Sequence, residues 1–172
     1  KAMNRSLANV LLGDLGVRRE RIGNTRVVIG APTGQGLRRM DIMAFFRWTL
    51  PTLQEIFPAF PGRILVVGAD DPMWRGALSG PGSLYVHSDR PMISENATST
   101  FIHELVHVAM RARSGPQADW IVEGLAEYYS LETLHRSGTV STARFEQAHR
   151  TLADWAAREA GPLDAPRSAG AT

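Results

Sequence analysis

The chain has 172 residues, enough for one domain with a real hydrophobic core, and its apolar content and net charge of +2 are ordinary for a globular protein. It contains no cysteine, which excludes disulfides, thiolate zinc sites and a catalytic thiol and leaves the cellular compartment open. The arginines (Arg18, Arg19, Arg21, Arg38, Arg39) are scattered without aromatic interleaving, so they read as a solvated surface and not as a nucleic-acid interface. No stretch approaches the roughly 18 apolar residues of a membrane span. The opening Lys1-Ala2-Met3-Asn4 lacks the apolar core of a signal peptide and reads as a cut end, so the natural protein is expected to be longer at both ends.

Leu7, Val10, Leu11 and Leu15 recur at helical spacing and predict a short first helix, weakened by Gly13 and Gly16. Arg26 to Ile29 is a β-branched strand ended by Gly30-Ala31-Pro32. Asp41 is placed to cap a helix through Ile42, Phe45, Phe46 and Leu50 toward Phe57, which Pro51 should kink or split. Arg63 to Gly68 is the clearest strand. Gly76-Ala77-Leu78-Ser79-Gly80-Pro81-Gly82 then leads into another, Ser83 to His87. This glycine-rich passage precedes a strand and lacks a Gly-Lys-Ser/Thr ending, so it is not a phosphate loop.

Ser94, Asn96, Thr98 and Ser99 are all candidate caps for the next helix, which should run through Arg111 or Arg113 and stop at Ser114-Gly115-Pro116. Two further helices are expected, one from Trp120 to about His135 with Asp119 as cap, the other from Ser141 or Thr142 to about Ala160. The region 1–160 reads as a single domain, and 161–172 as a mobile tail without apolar periodicity.

The first of these helices carries His103-Glu104-Leu105-Val106-His107. Residues four apart share a helix face, so both imidazoles can point at one metal ion, and Glu104 can reach a water bound to it. Such a match arises by chance on the order of 1% of the time, so context must decide. Catalytic zinc usually takes a third protein ligand. Glu123, in an apolar setting early in the following helix, supplies one. Fifteen residues separate it from His107, enough to finish a helix, turn and return. Gly124 beside it is expected to allow close approach of the two helices.

His-Glu-x-x-His followed by Trp120-x-x-Glu123-Gly124-x-Ala126 resembles the gluzincin branch of zinc metallopeptidases, which includes the thermolysin-like and aminopeptidase families, over roughly residues 60–135. The resemblance implies zinc held by His103, His107 and Glu123, with Glu104 as general base in the hydrolysis of peptide or protein substrates by a metal-activated water. It further implies that Glu127, four residues beyond Glu123, orients a ligand histidine. The metzincin pattern is excluded, because no histidine lies between His107 and His135. Gly76-Ala77-Leu78-Ser79-Gly80 resembles the substrate-binding edge strand of the aminopeptidases, which makes Gly76, Ala77 and Leu78 candidates for backbone contact with a peptide. Ser79 departs from that pattern, standing where the family's glutamate grips a free amine. Tyr128, Tyr129, His135 and His149 remain open as candidates for stabilising the oxyanion, and His87 reads as structural. The fold implied is α+β and zincin-like: a small, twisted, mostly antiparallel sheet packed on the zinc helix, followed by a mainly helical C-terminal part. The alternative is an inactive binding module of the same fold, with zinc structural or absent.

Overall fold

The computed structural model describes residues 9–73, 75–112, 115 and 119–158. Among these residues five strands and four helices follow in the order β1 (Leu15–Ile22), β2 (Thr25–Pro32), α1 (Arg39–Ile56), β3 (Arg63–Ala69), β4 (Ala77–Gly80), β5 (Ser83–His87), α2 (Thr100–Met110), α3 (Asp119–Arg136) and α4 (Thr142–Arg158). The strands form one sheet in the order β1-β2-β3-β5-β4.

That sheet is mixed, not mostly antiparallel. β1 with β2 and β4 with β5 are antiparallel hairpins, whereas β2 with β3 and β3 with β5 are parallel. The reason is the crossover. α1 carries the chain from the end of β2 back to the start of β3, the connection a parallel pair requires. Alternate residues of the central strands (Val27, Ile29, Ala31, Ile64, Val66, Leu84, Val86) share one buried cluster with Ile42, Phe46, Leu50 and Leu53 of α1. Phe101, Ile102, Leu105 and Val106 of α2 complete it, and Phe46 meets Phe101 edge-on at 6.2 Å between ring centroids. Both helices therefore cover the same face of the sheet.

Four local expectations are corrected. Among the described residues the first element is the strand β1, in place of the expected helix; Leu7 lies outside them, and Val10 and Leu11 precede the strand without helical structure. Gly13, at φ 128°, ends any local helical tendency, and Gly23, at φ 54°, makes the tight turn that pairs β1 with β2. α1 runs through Pro51 without being split, with the proline on its exposed side. Asp41 does not cap it but forms an exposed ion pair with Arg38 at 3.9 Å. α2 ends at Met110, because Arg111 turns left-handed and closes the helix with its N–H on the His107 carbonyl. Arg113, Ser114 and Pro116 of the expected terminator, and the tail 161–172, lie outside the described residues.

β4 is the edge strand on the side opposite β1, and α2 packs against it and β5. This edge, unpaired among the described residues, thus borders the helix that carries the two histidines.

Candidate metal centre

Of the four candidate caps, Ser99 is the one that starts α2. Its side chain accepts from the Ile102 N–H at 3.4 Å, and its carbonyl accepts the His103 N–H at 2.9 Å. With Phe101, Ile102, Leu105, Val106 and Val108 buried, the helical period turns His103 and His107 to the other side, each only half-buried. α3 packs across that side. Its Ala126 and Ser130 are fully buried, and the Ser130 hydroxyl donates to the Ser99 carbonyl at 3.4 Å. This contact fixes α3 against the head of α2 and aims Glu123 and Glu127 at the imidazoles.

Three donor atoms converge. His103 Nε2 and His107 Nε2 are 3.1 Å apart, and Glu123 Oε2 lies 3.1 Å from the first and 3.3 Å from the second. Ligands about 2.0–2.1 Å from a tetrahedral zinc ion are themselves about 3.3 Å apart, so the spacing fits one ion. Two nitrogens and one carboxylate oxygen, without sulfur, form a donor set that suits zinc.

The tautomer points the same way. The Glu127 carboxylate accepts the Nδ1–H of His103 at 3.1 Å, which leaves the Nε2 lone pair facing Glu123 and His107. Lone pairs at this separation repel unless a proton or a metal cation lies among them. Burial lowers the pKa of His103, but the Glu127 hydrogen bond and the charges of Glu104, Glu127 and Glu123 outweigh it, so the net shift is upward. The centre is built for positive charge. Glu104, half-buried on the same helix, contributes to that field and stands outside the converging triad.

Glu127→Ala is therefore expected to weaken zinc binding by about 10–100-fold, the usual cost of losing a partner of a ligand histidine. Competition with a chromogenic chelator measures it, and an unchanged affinity would make Glu127 a mere surface acid.

Gly124 does not do what its place in the sequence suggests. It is exposed, and a Cβ built on it meets nothing within 4 Å, so close approach of α2 and α3 depends on Ala126 instead. Gly124→Ala should stabilise the protein by about 0.5–1 kcal/mol, since a helix-interior glycine costs that much in backbone entropy. Urea unfolding tests this, and a loss of stability would show a constraint at Gly124 that the fold does not reveal.

The four oxyanion candidates make their ring contacts with one another and with Phe57 and Phe145. Tyr128 meets Tyr129 and His149 edge-on, Tyr129 packs on Phe57, and His135 stacks on Phe145 at 4.3 Å. These side chains join α3 and α4 to each other and to the end of α1. His87 is structural as expected: it is buried, its Nε2–H donates to the Asp71 carbonyl at 3.0 Å, and its Nδ1 accepts the Asp89 N–H at 3.1 Å.

No protein-family model and no curated protein matches the chain. Solved structures do match its fold. An aminopeptidase N family protein from Idiomarina loihiensis is 17% identical with a TM-score of 0.57, the match covering 77% of this chain and 27% of that one. An M1 zinc metallopeptidase from Deinococcus radiodurans is 22% identical with a TM-score of 0.56, covering 90% of this chain and 36% of that one. A variant of the latter, bound to the substrate Tyr-Ser-Ala, matches with the same figures. The chain thus spans only about a third of the length of these neighbours. Its α+β fold matches part of the fold of these solved structures.

Proposed function

We propose that this chain carries the catalytic centre of a zinc-dependent peptidase. The observation that supports it most is the convergence of His103, His107 and Glu123 within 3.1–3.3 Å, with Glu104 next to the first ligand on the same helix. In this reading the triad holds zinc, whose Lewis acidity lowers the pKa of water from about 15.7 to about 7 and polarises a carbonyl. Glu127 keeps His103 in the tautomer whose Nε2 is free to ligate. The Glu104 carboxylate accepts a proton from the attacking water and returns it to the leaving amine. An extended peptide would lie along the outer edge of β4, its backbone pairing with Ala77 and Ser79; of the expected contacts, Gly76 and Leu78 face β5 instead, the Gly76 carbonyl accepting the His87 N–H at 3.1 Å.

Two observations favour the rival reading, a binding module of the same fold. Ser79 puts a neutral hydroxyl on β4, and the candidate oxyanion donors Tyr128, Tyr129, His135 and His149 make their ring contacts with one another and with Phe57 and Phe145. The two readings separate in one assay on the full-length protein. Casein or a peptide library should be cut, the activity should disappear with chelator, and zinc should restore it. Zinc bound at one per chain without any cleavage would establish the binding module.

A further inference from the structure

Among the described residues, the only non-glycine positions with positive φ are Ala97 (63°) and Arg111 (51°), and they bracket α2. Arg111 is an ordinary helix end. Ala97 is different: it is buried, in a turn ahead of the helix, and left-handed backbone at a residue with a Cβ persists only where the surroundings over-determine it.

The turn is closed from within. The Ser94 N–H donates to the Thr98 carbonyl at 2.8 Å, the Ala97 N–H donates to the Ser94 carbonyl at 3.1 Å, and the Ser94 and Thr98 hydroxyls are 2.8 Å apart. It is also gripped from outside. Arg144 of α4 sends one guanidinium nitrogen, Nη2, to the carbonyls of both Ser94 and Glu95, at 3.1 Å each. Immediately after the turn comes Ser99, whose carbonyl receives the N–H of His103 and the hydroxyl of Ser130. A continuous run of hydrogen bonds and backbone therefore leads from α4, through the turn, to the backbone of the first candidate ligand, and α3 joins it at Ser99.

We propose that Arg144 is a positioning residue for the metal centre: by clamping the turn 94–98 it sets the head of α2, and with it His103, against the α3 carboxylates. This inference rests on the metal-binding reading above. Arg144 touches none of the converging donors, and its effect passes through the backbone.

The test compares the full chain with Arg144→Gln, Arg144→Lys and, as a control on the same helix, Arg150→Gln, whose guanidinium meets Gln147 and Glu146 of its own helix. Zinc affinity is read by chelator competition, and ligand geometry by the visible absorption of the Co²⁺-substituted protein. Arg144→Gln should weaken zinc binding by roughly 3–10-fold, less than loss of a direct partner of a ligand, and should shift the cobalt bands. Arg144→Lys should fall between it and the unaltered chain, and Arg150→Gln should match the unaltered chain. A glutamine variant that melts at lower temperature yet keeps zinc affinity within about twofold, with an unchanged cobalt spectrum, would show a merely structural arginine and overturn the proposal. If the glutamine variant does not fold, a lysine variant identical to the unaltered chain in both readouts overturns it equally. An unaltered chain that takes up neither metal would instead refute the metal-binding reading itself, and the positioning role with it.

Discussion

Glu104→Gln is expected to lower peptide hydrolysis by about 10²–10⁴-fold, the usual contribution of a positioned general base, while one zinc ion per chain is retained. Glutamine is nearly isosteric and keeps a carbonyl oxygen in place, but it cannot accept the proton. Glu104 is not one of the three converging donors, so its loss should leave zinc affinity almost unaltered. Rate and metal content must be measured on the same preparation. A variant that keeps its activity would eliminate Glu104 as the base, and one that also loses its zinc would place Glu104 in the ligand set.

Glu123→Ala should have the larger thermodynamic effect. A metal that binds only the folded chain stabilises it by about 4 kcal/mol at a thousandfold excess over Kd. For a chain of this size that corresponds to a melting temperature higher by roughly 8–16 °C. Without Glu123, two imidazoles remain, and two ligands do not make a stable site. The zinc-dependent rise in melting temperature should therefore vanish, while the melting temperature in chelator changes little, because the Glu123 side chain is about 41% exposed. A zinc-dependent rise that survives in Glu123→Ala would mean that the third ligand lies elsewhere.

Elements whose local pattern and tertiary role agree were legible in the sequence. β3 and β5 are short apolar runs between turn residues, and both are central and buried. α3 and α4 begin within a residue of where Asp119 and Thr142 suggest. β1 was not legible. Arg18, Arg19, Glu20 and Arg21 break any apolar alternation, yet charges are tolerated there because the strand lies at the sheet edge, where they also discourage pairing with another chain. The direction of strand pairing was hidden for a related reason. The glycine-rich hairpin of β4 and β5 is conspicuous, whereas the parallel pairing of β2 and β3 depends on α1 passing over one face, which no single stretch records.

The same division runs through the candidate site. The identity of the donors and the pairing of His103 with His107 follow from sequence alone, because four residues of α-helix set their relative placement whatever surrounds them. Glu123 was within reach on chain length, and Glu127 only through resemblance. Their arrival at the imidazoles required α3 to seat Ala126 and Ser130 on α2, a contact made across the fold. Gly124, conspicuous in the sequence, faces open space, and Ala97 and Arg144, inconspicuous there, hold the head of the helix. Sequence determined which atoms could bind a metal, since that is chemistry and helical period. Only the tertiary structure decided that they meet, since a side chain's distant neighbours depend on how every buried face is packed.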